Sequence, residues 1–248
     1  MVKIGIIGGS GLDDPKLLQG AISTDAETPY GKPSSRLSVG KIGGVDVVTV
    51  SRHGKKHQLN PTQVNYRANI SALKKIGATH ILATTACGSL REEIGRGDFV
   101  IIDQFIDFTK HRINTFHDSF EKETVHAAMA TPFDEGLRKI LYDTAVELGL
   151  TTHNGGTMIT IEGPRFSTRA ESNMFRMWGA DVINMSVATE AALAKEAGIP
   201  YAAIAMSTDY DCWKFDEAPV SWEDILEVFN QNADNVVQII KNAVVKIK

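Results

Sequence analysis

The chain has 248 residues, 43% hydrophobic and 23% charged, with 26 basic against 30 acidic side chains for a formal net charge of −4. That length suffices for one large domain or two small ones with a full core, and the acidic balance argues against a general nucleic-acid binder, which would be basic. Two cysteines, Cys87 and Cys212, do not make a disulfide framework; no apolar run reaches the roughly 18 residues of a membrane span, and Met1 leads into a strand-like segment rather than a secretion signal. A cytoplasmic protein is expected.

In chain order, Val2–Ile7 reads as a strand and breaks into Gly8-Gly9-Ser10-Gly11. Val47–Ser51 is β-branched and ends at Arg52-His53-Gly54. Asn65–Ile76 has helical apolar spacing and stops at Gly77. His80–Thr85 is a strand, and Phe99–Ile106 another, with little alternation, as in a strand covered on both faces. The segment from Asp107 to Pro132 is long and irregular, which in a compact domain marks a functional loop. Phe133–Leu148 predicts a helix closed by Gly149, Thr157–Ile161 a strand, Thr168–Trp178 a helix, Asp181–Met185 a strand and Glu190–Ala197 a helix. Tyr201–Ser207 is a strand ending in Thr208-Asp209-Tyr210-Asp211. Ser221 and Asp224 form a capping pair before a last helix with one apolar stripe running from Leu226 to Ile247.

Strands alternating with helices predict a single α/β domain, with a central mixed sheet flanked by helices. In such sheets ligands bind beyond the carboxyl ends of the strands. Ser10, Arg52-His53, Thr85, Ser186 and Asp209 all fall at predicted strand ends, so they are expected to share one site.

The residue types there suit anion and base chemistry. Gly8-Gly9-Ser10-Gly11 lets backbone N–H groups approach an anion, although a tight turn alone also explains it. The dinucleotide fingerprint fails, because its third glycine would fall at Asp14. Arg52-His53-Gly54-Lys55-Lys56-His57 places five potentially cationic side chains in six positions, as for phosphate or as a solvated basic turn. The zinc-protease spacing is absent there, and no serine-hydrolase elbow surrounds Ser10 or Ser89. Cys87 reads as a packed residue rather than a nucleophile. Asp209 and Asp211 follow an apolar strand, where a carboxylate can accept from an exocyclic amine or, when protonated, donate to a ring nitrogen.

Taken in order, the blocks Lys3–Pro15, Arg52–Gly54, Val64–Ile70, Thr84–Glu93, Val100–Asp107, Ile161–Ser172, Gly179–Ser186 and Ala205–Trp213 resemble the methylthioadenosine phosphorylases of the trimeric purine nucleoside phosphorylase family. The resemblance implies a phosphate-dependent cleavage of 5′-methylthioadenosine to adenine and 5-methylthioribose 1-phosphate. It implies no cofactor beyond phosphate as co-substrate, and a homotrimer, with a hexamer as the alternative. It assigns Ser10, Arg52, His53, Thr85, Ala86 and Ser186 to phosphate. It assigns Met185 and Asn184 to ribose, Phe166 and Ser167 to the purine wall, and Asp209 and Asp211 to the base. Asp209 is also the implied general acid. His126 is implied to reach a neighbouring subunit's 5′ subsite.

Within this resemblance, 6-oxopurine enzymes carry asparagine at the Asp209 position and glutamate at the Ser167 position, so an adenine substrate is expected rather than inosine, guanosine or methylthioinosine. Two departures stand out. The family's Thr-Val-Pro-Glu is replaced after Ser186 by Val187-Ala188-Thr189-Glu190, and Trp222 occupies a place where animal relatives have a small aliphatic residue near the 5′ group. The chain also ends at Lys248, before the segment by which animal relatives reach that region. The choice between methylthioadenosine and adenosine therefore stays open at this stage. A water-using nucleosidase, a nicotinamide oxidoreductase and a silent binding module are the competing classes.

Overall fold

A lysine and five apolar or glycine residues make the first strand, β1 (Lys3–Gly8), and its isoleucines divide between two cores. Ile4 and Ile6 enter one buried cluster and Ile7 the other, as the two-residue period of a strand requires. The computed structural model describes residues 2–8, 17–121, 124–216 and 221–248; Ser10 and the glycine turn around it lie outside the described residues. After β1 come β2 (Gln19–Thr24), β3 (Leu37–Ile42), β4 (Val45–Ser51), α1 (Tyr66–Lys75), β5 (His80–Ser89), β6 (Phe99–Ile101), β7 (Gln104–Phe108) and α2 (Glu135–Glu147). Then follow β8 (Thr152–Asn154), β9 (Thr157–Ile161), α3 (Arg169–Met177), β10 (Val182–Asn184), α4 (Val187–Glu196), β11 (Tyr201–Asp209) and α5 (Trp222–Val244).

The strands form one mixed sheet, with β1 between β4 and β5, both parallel to it, and β11 parallel to β5 on the far side. α1 and α4 pack against one cluster, through Ile70, Leu73, Ala191 and Leu193. α2 and α5 pack against the other, through Leu137, Leu141, Val236, Ile239 and Ile240. A third cluster joins Phe175 of α3 to Ile159, Ile183 and Trp213. This is the predicted sheet flanked by helices. No helix among the described residues is long and apolar enough to cross a membrane.

Four helices begin at side-chain caps, of which the sequence predicted the last. Asn65 accepts from Ala68 N and Asp134 from Leu137 N, while Thr168 and Glu171 make a reciprocal capping box. Ser221 accepts from Asp224 N. Each such cap stabilises its helix by about 0.5–2 kcal/mol.

Four features differ from expectation. The hairpin β3–β4 and its partner β2 occupy a stretch in which no strand is predicted before Val47. The predicted strand Phe99–Ile106 is two strands: β6 pairs with β11 and β8, and β7 pairs with β9. The switch occurs at Asp103, whose carboxylate accepts from Gly156 N at 3.0 Å. Strand β5 runs four residues beyond Thr85, because once its pairing with β1 ends at Ala83 it continues against β10, Val182 facing Ser89. Helix α4 begins at Val187 rather than Glu190.

Candidate active site

β1 and β4 end side by side, Gly8 opposite Ser51, and Arg52 follows directly, its N–H bonded to Gly8 O at 2.9 Å. β5 and β11 run parallel beyond them. The space past these ends, walled by the segment after β9 and by the first turns of α5, is a cavity of about 630 Å³. Twelve of the fourteen predicted site residues line it: Arg52, His53, Thr85, Ala86, Phe166, Ser167, Asn184, Met185, Ser186, Asp209, Asp211 and Trp222. Ser10 lies outside the described residues, and His126 is an exposed residue whose ring packs on Phe120, away from this lining. The described residues of the predicted loop from Asp107 to Pro132 contribute nothing to the lining.

The Arg52 guanidinium is 3% exposed, and Glu190, 1% exposed, faces it with both carboxylate oxygens. Arg52 Nη1 also donates to Thr84 O at 2.9 Å, and Tyr201 Oη donates to Glu190 Oε2 at 2.9 Å. Burial opposes the arginine's charge, but the adjacent Glu190 carboxylate outweighs it and holds the pKa above the ordinary value. These bonds use three of the five guanidinium N–H groups.

His53 offers no charge at neutral pH. Burial, and then the neighbouring Arg52, hold its pKa down at about 4. Its Nδ1 lies 2.9 Å from Leu59 O, so this nitrogen carries the hydrogen and Nε2 is an acceptor. Lys55 and Lys56 are exposed and do not line the cavity. The basic run thus differs from its sequence reading: of five potential cations one is paired, one is neutral and two face solvent. The fifth, His57, at φ 52°, stacks on His53 at 4.6 Å and meets Trp222 at 5.3 Å.

The arginine shares the cavity with the hydroxyls of Thr85 and Ser186. Asn184 is their hub: Oδ1 accepts from Thr160 Oγ1 at 2.8 Å, and Nδ2 donates to Thr85 Oγ1 at 3.2 Å and Ser186 Oγ at 3.4 Å. Ser186 precedes α4, yet its hydroxyl makes no cap bond. The helix dipole places partial positive charge at this end. Thr85 sits within β5 rather than beyond its end, with its side chain still in the cavity.

Asp209 ends β11 at a register shift, where Thr208 is squeezed out of the ladder and Asp209 comes opposite Gly88. A Cβ at Gly88 would lie 2.9 Å from Asp209 Oδ2, so only glycine allows this approach. Asp209 Oδ1 accepts from Thr208 Oγ1 at 2.7 Å and Oδ2 from Asp211 N at 2.9 Å. Burial nevertheless dominates and pushes the Asp209 pKa up to about 6. Burial likewise raises that of Asp211. Thr85 and Gly88 are three residues apart on β5, so the arginine–hydroxyl group and the carboxylate pair sit about 10 Å apart along one strand. Cys87, between them, is buried and its thiol pKa is raised by burial, as a packing residue's would be.

Sequence reading missed the 58–63 loop, Ile225 and Phe229 in the lining, and Glu190 behind it. Glu190 had one signal: a lone carboxylate in Val187-Ala188-Thr189-Glu190-Ala191-Ala192-Leu193-Ala194, a stretch otherwise suited to burial.

The model of the phosphorylase superfamily matches residues 3–245, and the chain belongs to that superfamily. At closer range it is similar to the S-methyl-5′-thioadenosine phosphorylase of Xenopus tropicalis, 57% identical over 99% of this chain and 89% of the relative. The enzyme of the same name from Danio rerio is 55% identical over the same shares. Among solved structures, methylthioadenosine phosphorylase from Schistosoma mansoni in complex with adenine superposes with a TM-score of 0.94 at 44% identity, covering 99% of this chain and 91% of that one. A mutant of the Schistosoma adenosine/methylthioadenosine phosphorylase in complex with methylthioadenosine gives 0.92 at 44% identity and the same coverage.

Proposed function

We propose that the protein catalyses phosphorolysis of 5′-methylthioadenosine to adenine and 5-methylthioribose 1-phosphate. One observation carries this reading: a single cavity holds a buried arginine together with the hydroxyls of Thr85 and Ser186 and, about 10 Å along β5 from Thr85, a buried carboxylate whose pKa is near 6. The names of the relatives agree with it.

In the reaction the N9–C1′ bond breaks and a phosphate oxygen bonds to C1′. Positive charge develops on the ribose and negative charge on the departing purine. Asp209, protonated, donates to N7 and relieves the second. Overall, the proton of hydrogenphosphate ends on adenine, so Asp209 is restored. Phosphate is held by Arg52, His53, Thr85, Ala86 and Ser186, with Ser10 from the glycine turn. Neutral His53 serves as an acceptor for a protonated oxygen. Asn184 and Met185 face the ribose. Phe166, Ser167 and Asp211 complete the base pocket, and Trp222 borders the 5′ end. The scheme calls on no metal or organic cofactor.

The protein acts in the cytoplasm, as a homotrimer in which His126 reaches a neighbour's 5′ subsite. Exposed Met177 and Trp178, at 80% and 50%, give α3 an apolar end suited to a subunit contact. A fully active monomer in light scattering would remove the shared subsite. The functional test is adenine release from methylthioadenosine, adenosine and inosine, with and without phosphate. Release from methylthioadenosine that requires phosphate is expected; equal release in phosphate-free buffer makes the protein a nucleosidase instead.

A further inference from the structure

Arg112 belongs to the irregular segment after β7 and lines no part of the cavity, yet its side chain is only 2% exposed. A buried guanidinium must find acceptors, and those it finds converge on the cavity wall. Nη1 donates to Met185 O at 2.9 Å and to Tyr66 Oη at 2.7 Å. Nη2 donates to Glu162 O at 2.6 Å, and Nε to Glu162 Oε1 at 3.0 Å. The guanidinium also lies 5.0 Å from the centre of the Tyr66 ring.

Each partner ties in another piece of wall. Tyr66 Oη lies 3.1 Å from Pro61 O and 3.3 Å from Met185 O, so its hydrogen serves one of these carbonyls. Glu162 accepts from Thr62 Oγ1 at 2.8 Å, from Lys110 N at 2.7 Å and from His111 N at 3.0 Å. Burial would raise the Glu162 carboxyl, but these donors outweigh it and hold the pKa at about 2, so the carboxylate stays ionised. The next residue, Gly163, has φ +66°, and a Cβ there would lie 2.4 Å from Met185 Sδ. The strand end that delivers Glu162 to Arg112 therefore also forms the seat of the methionine side chain. Met185 is gripped twice: its carbonyl directly, its thioether through the backbone beside Glu162.

We propose that Arg112 is the positioning residue of the ribose wall, fixing Met185 from outside the cavity without touching substrate. The assignment rests on the function proposed above for its kinetic consequence, but not for its geometric one. The base-reading carboxylates stand at and just beyond the end of β11, and the hydrogen bonds of Arg112 go instead to Glu162, Tyr66 and Met185, so free adenine gives an internal control.

The test uses Arg112→Lys, which keeps the charge but whose single nitrogen cannot span the four acceptor atoms, and Tyr66→Phe, which removes only the bridging hydroxyl and serves if the first variant does not fold. With ¹³C-methyl methionine, the Met185 signal, assigned through Met185→Leu, should shift or broaden in both variants while that of core residue Met158 stays. The KM for methylthioadenosine should rise about 10- to 100-fold and adenine affinity should change by less than about twofold. An unmoved Met185 signal overturns the proposal. So does an equal loss of nucleoside and adenine affinity, which would make Arg112 a general structural residue. A wild type that releases no adenine from methylthioadenosine refutes the proposed function, and the methyl signal still decides the positioning role.

Discussion

Glu190 grips Arg52 with both carboxylate oxygens, at 1% and 3% exposure, in an ion pair closed off by Tyr201. Removing one partner of such a pair strands the other and costs about 3–5 kcal/mol. Arg52→Ala should therefore lower the melting temperature as well as activity. Replacing both residues by methionine should recover much of that stability and no activity. Arg52→Lys keeps the charge but loses the fork. It should raise the phosphate KM about tenfold or more and leave adenine affinity nearly unchanged. Kinetics at varied phosphate, with adenine titration calorimetry, check this; parallel losses would show that Arg52 serves the whole cavity rather than its anion end.

Burial raises Asp209 from 3.8 to about 6. The folded protein then binds more protons than the unfolded chain between these values. The group's contribution is most favourable below pH 3.8 and is lost as pH rises through about 6, at a cost of about 3 kcal/mol above it. Asp209→Asn should melt higher than wild type at pH 7–8 and about equally near pH 4. As general acid, Asp209 should impose a fall in kcat/KM for methylthioadenosine above pH 6, approaching tenfold per unit. That limb should vanish in Asp209→Asn, and the inosine-to-methylthioadenosine ratio should rise. If the limb survives in the variant, another group carries the proton.

Gly88→Ala tests the same carboxylate from behind. The added methyl would stand 2.9 Å from Asp209 Oδ2 and 3.1 Å from Ile183 Cγ2, so the carboxylate must move. An adenine-nucleoside kcat/KM lowered about 10- to 100-fold, with phosphate KM little altered, is expected. Wild-type kinetics in this variant would mean that the exact seat of Asp209 is unimportant.

Trp222 is 46% exposed, borders the cavity and packs on His57, itself stacked on His53. Trp222→Leu removes the flat wall and opens the 5′ side. The ratio of kcat/KM for methylthioadenosine over adenosine should rise by roughly 3- to 10-fold, the scale of one or two methylenes in an apolar pocket. A ratio that falls would make the tryptophan a favourable contact for the methylthio group.

The strands β1, β4, β9 and β11 and all five helices were legible because their signals are local: β-branched runs, the cap of Ser221 with Asp224, and glycine stops. The β3–β4 hairpin was also written in Ile42-Gly43-Gly44-Val45, where both glycines take the positive φ of a two-residue turn, but exposed β2 shows no apolar alternation. Other facts depend on which distant residues meet. Whether Arg52 carries an unbalanced charge is decided by Glu190, 138 residues on, and the neutrality of His53 by burial. Arg112 reads as an ordinary surface cation until Glu162, Tyr66 and Met185 surround it. Residue types at strand ends reveal a site; the supporting contacts behind it are tertiary and leave little trace in spacing.

Helix α5 lives in two surroundings. Its first turns, with Trp222, Ile225, Leu226 and Phe229, wall the cavity, whereas Val236, Ile239, Ile240, Ala243 and Val244 are set in the core. The amides of a single rod therefore answer to two different unfolding events: opening near the cavity, which leaves the core intact, and global unfolding farther along. In the empty protein, hydrogen exchange should slow sharply between Phe229 and Val236. A nucleoside that packs against the first turns should erase that step, and part of its binding free energy is then spent on ordering the helix.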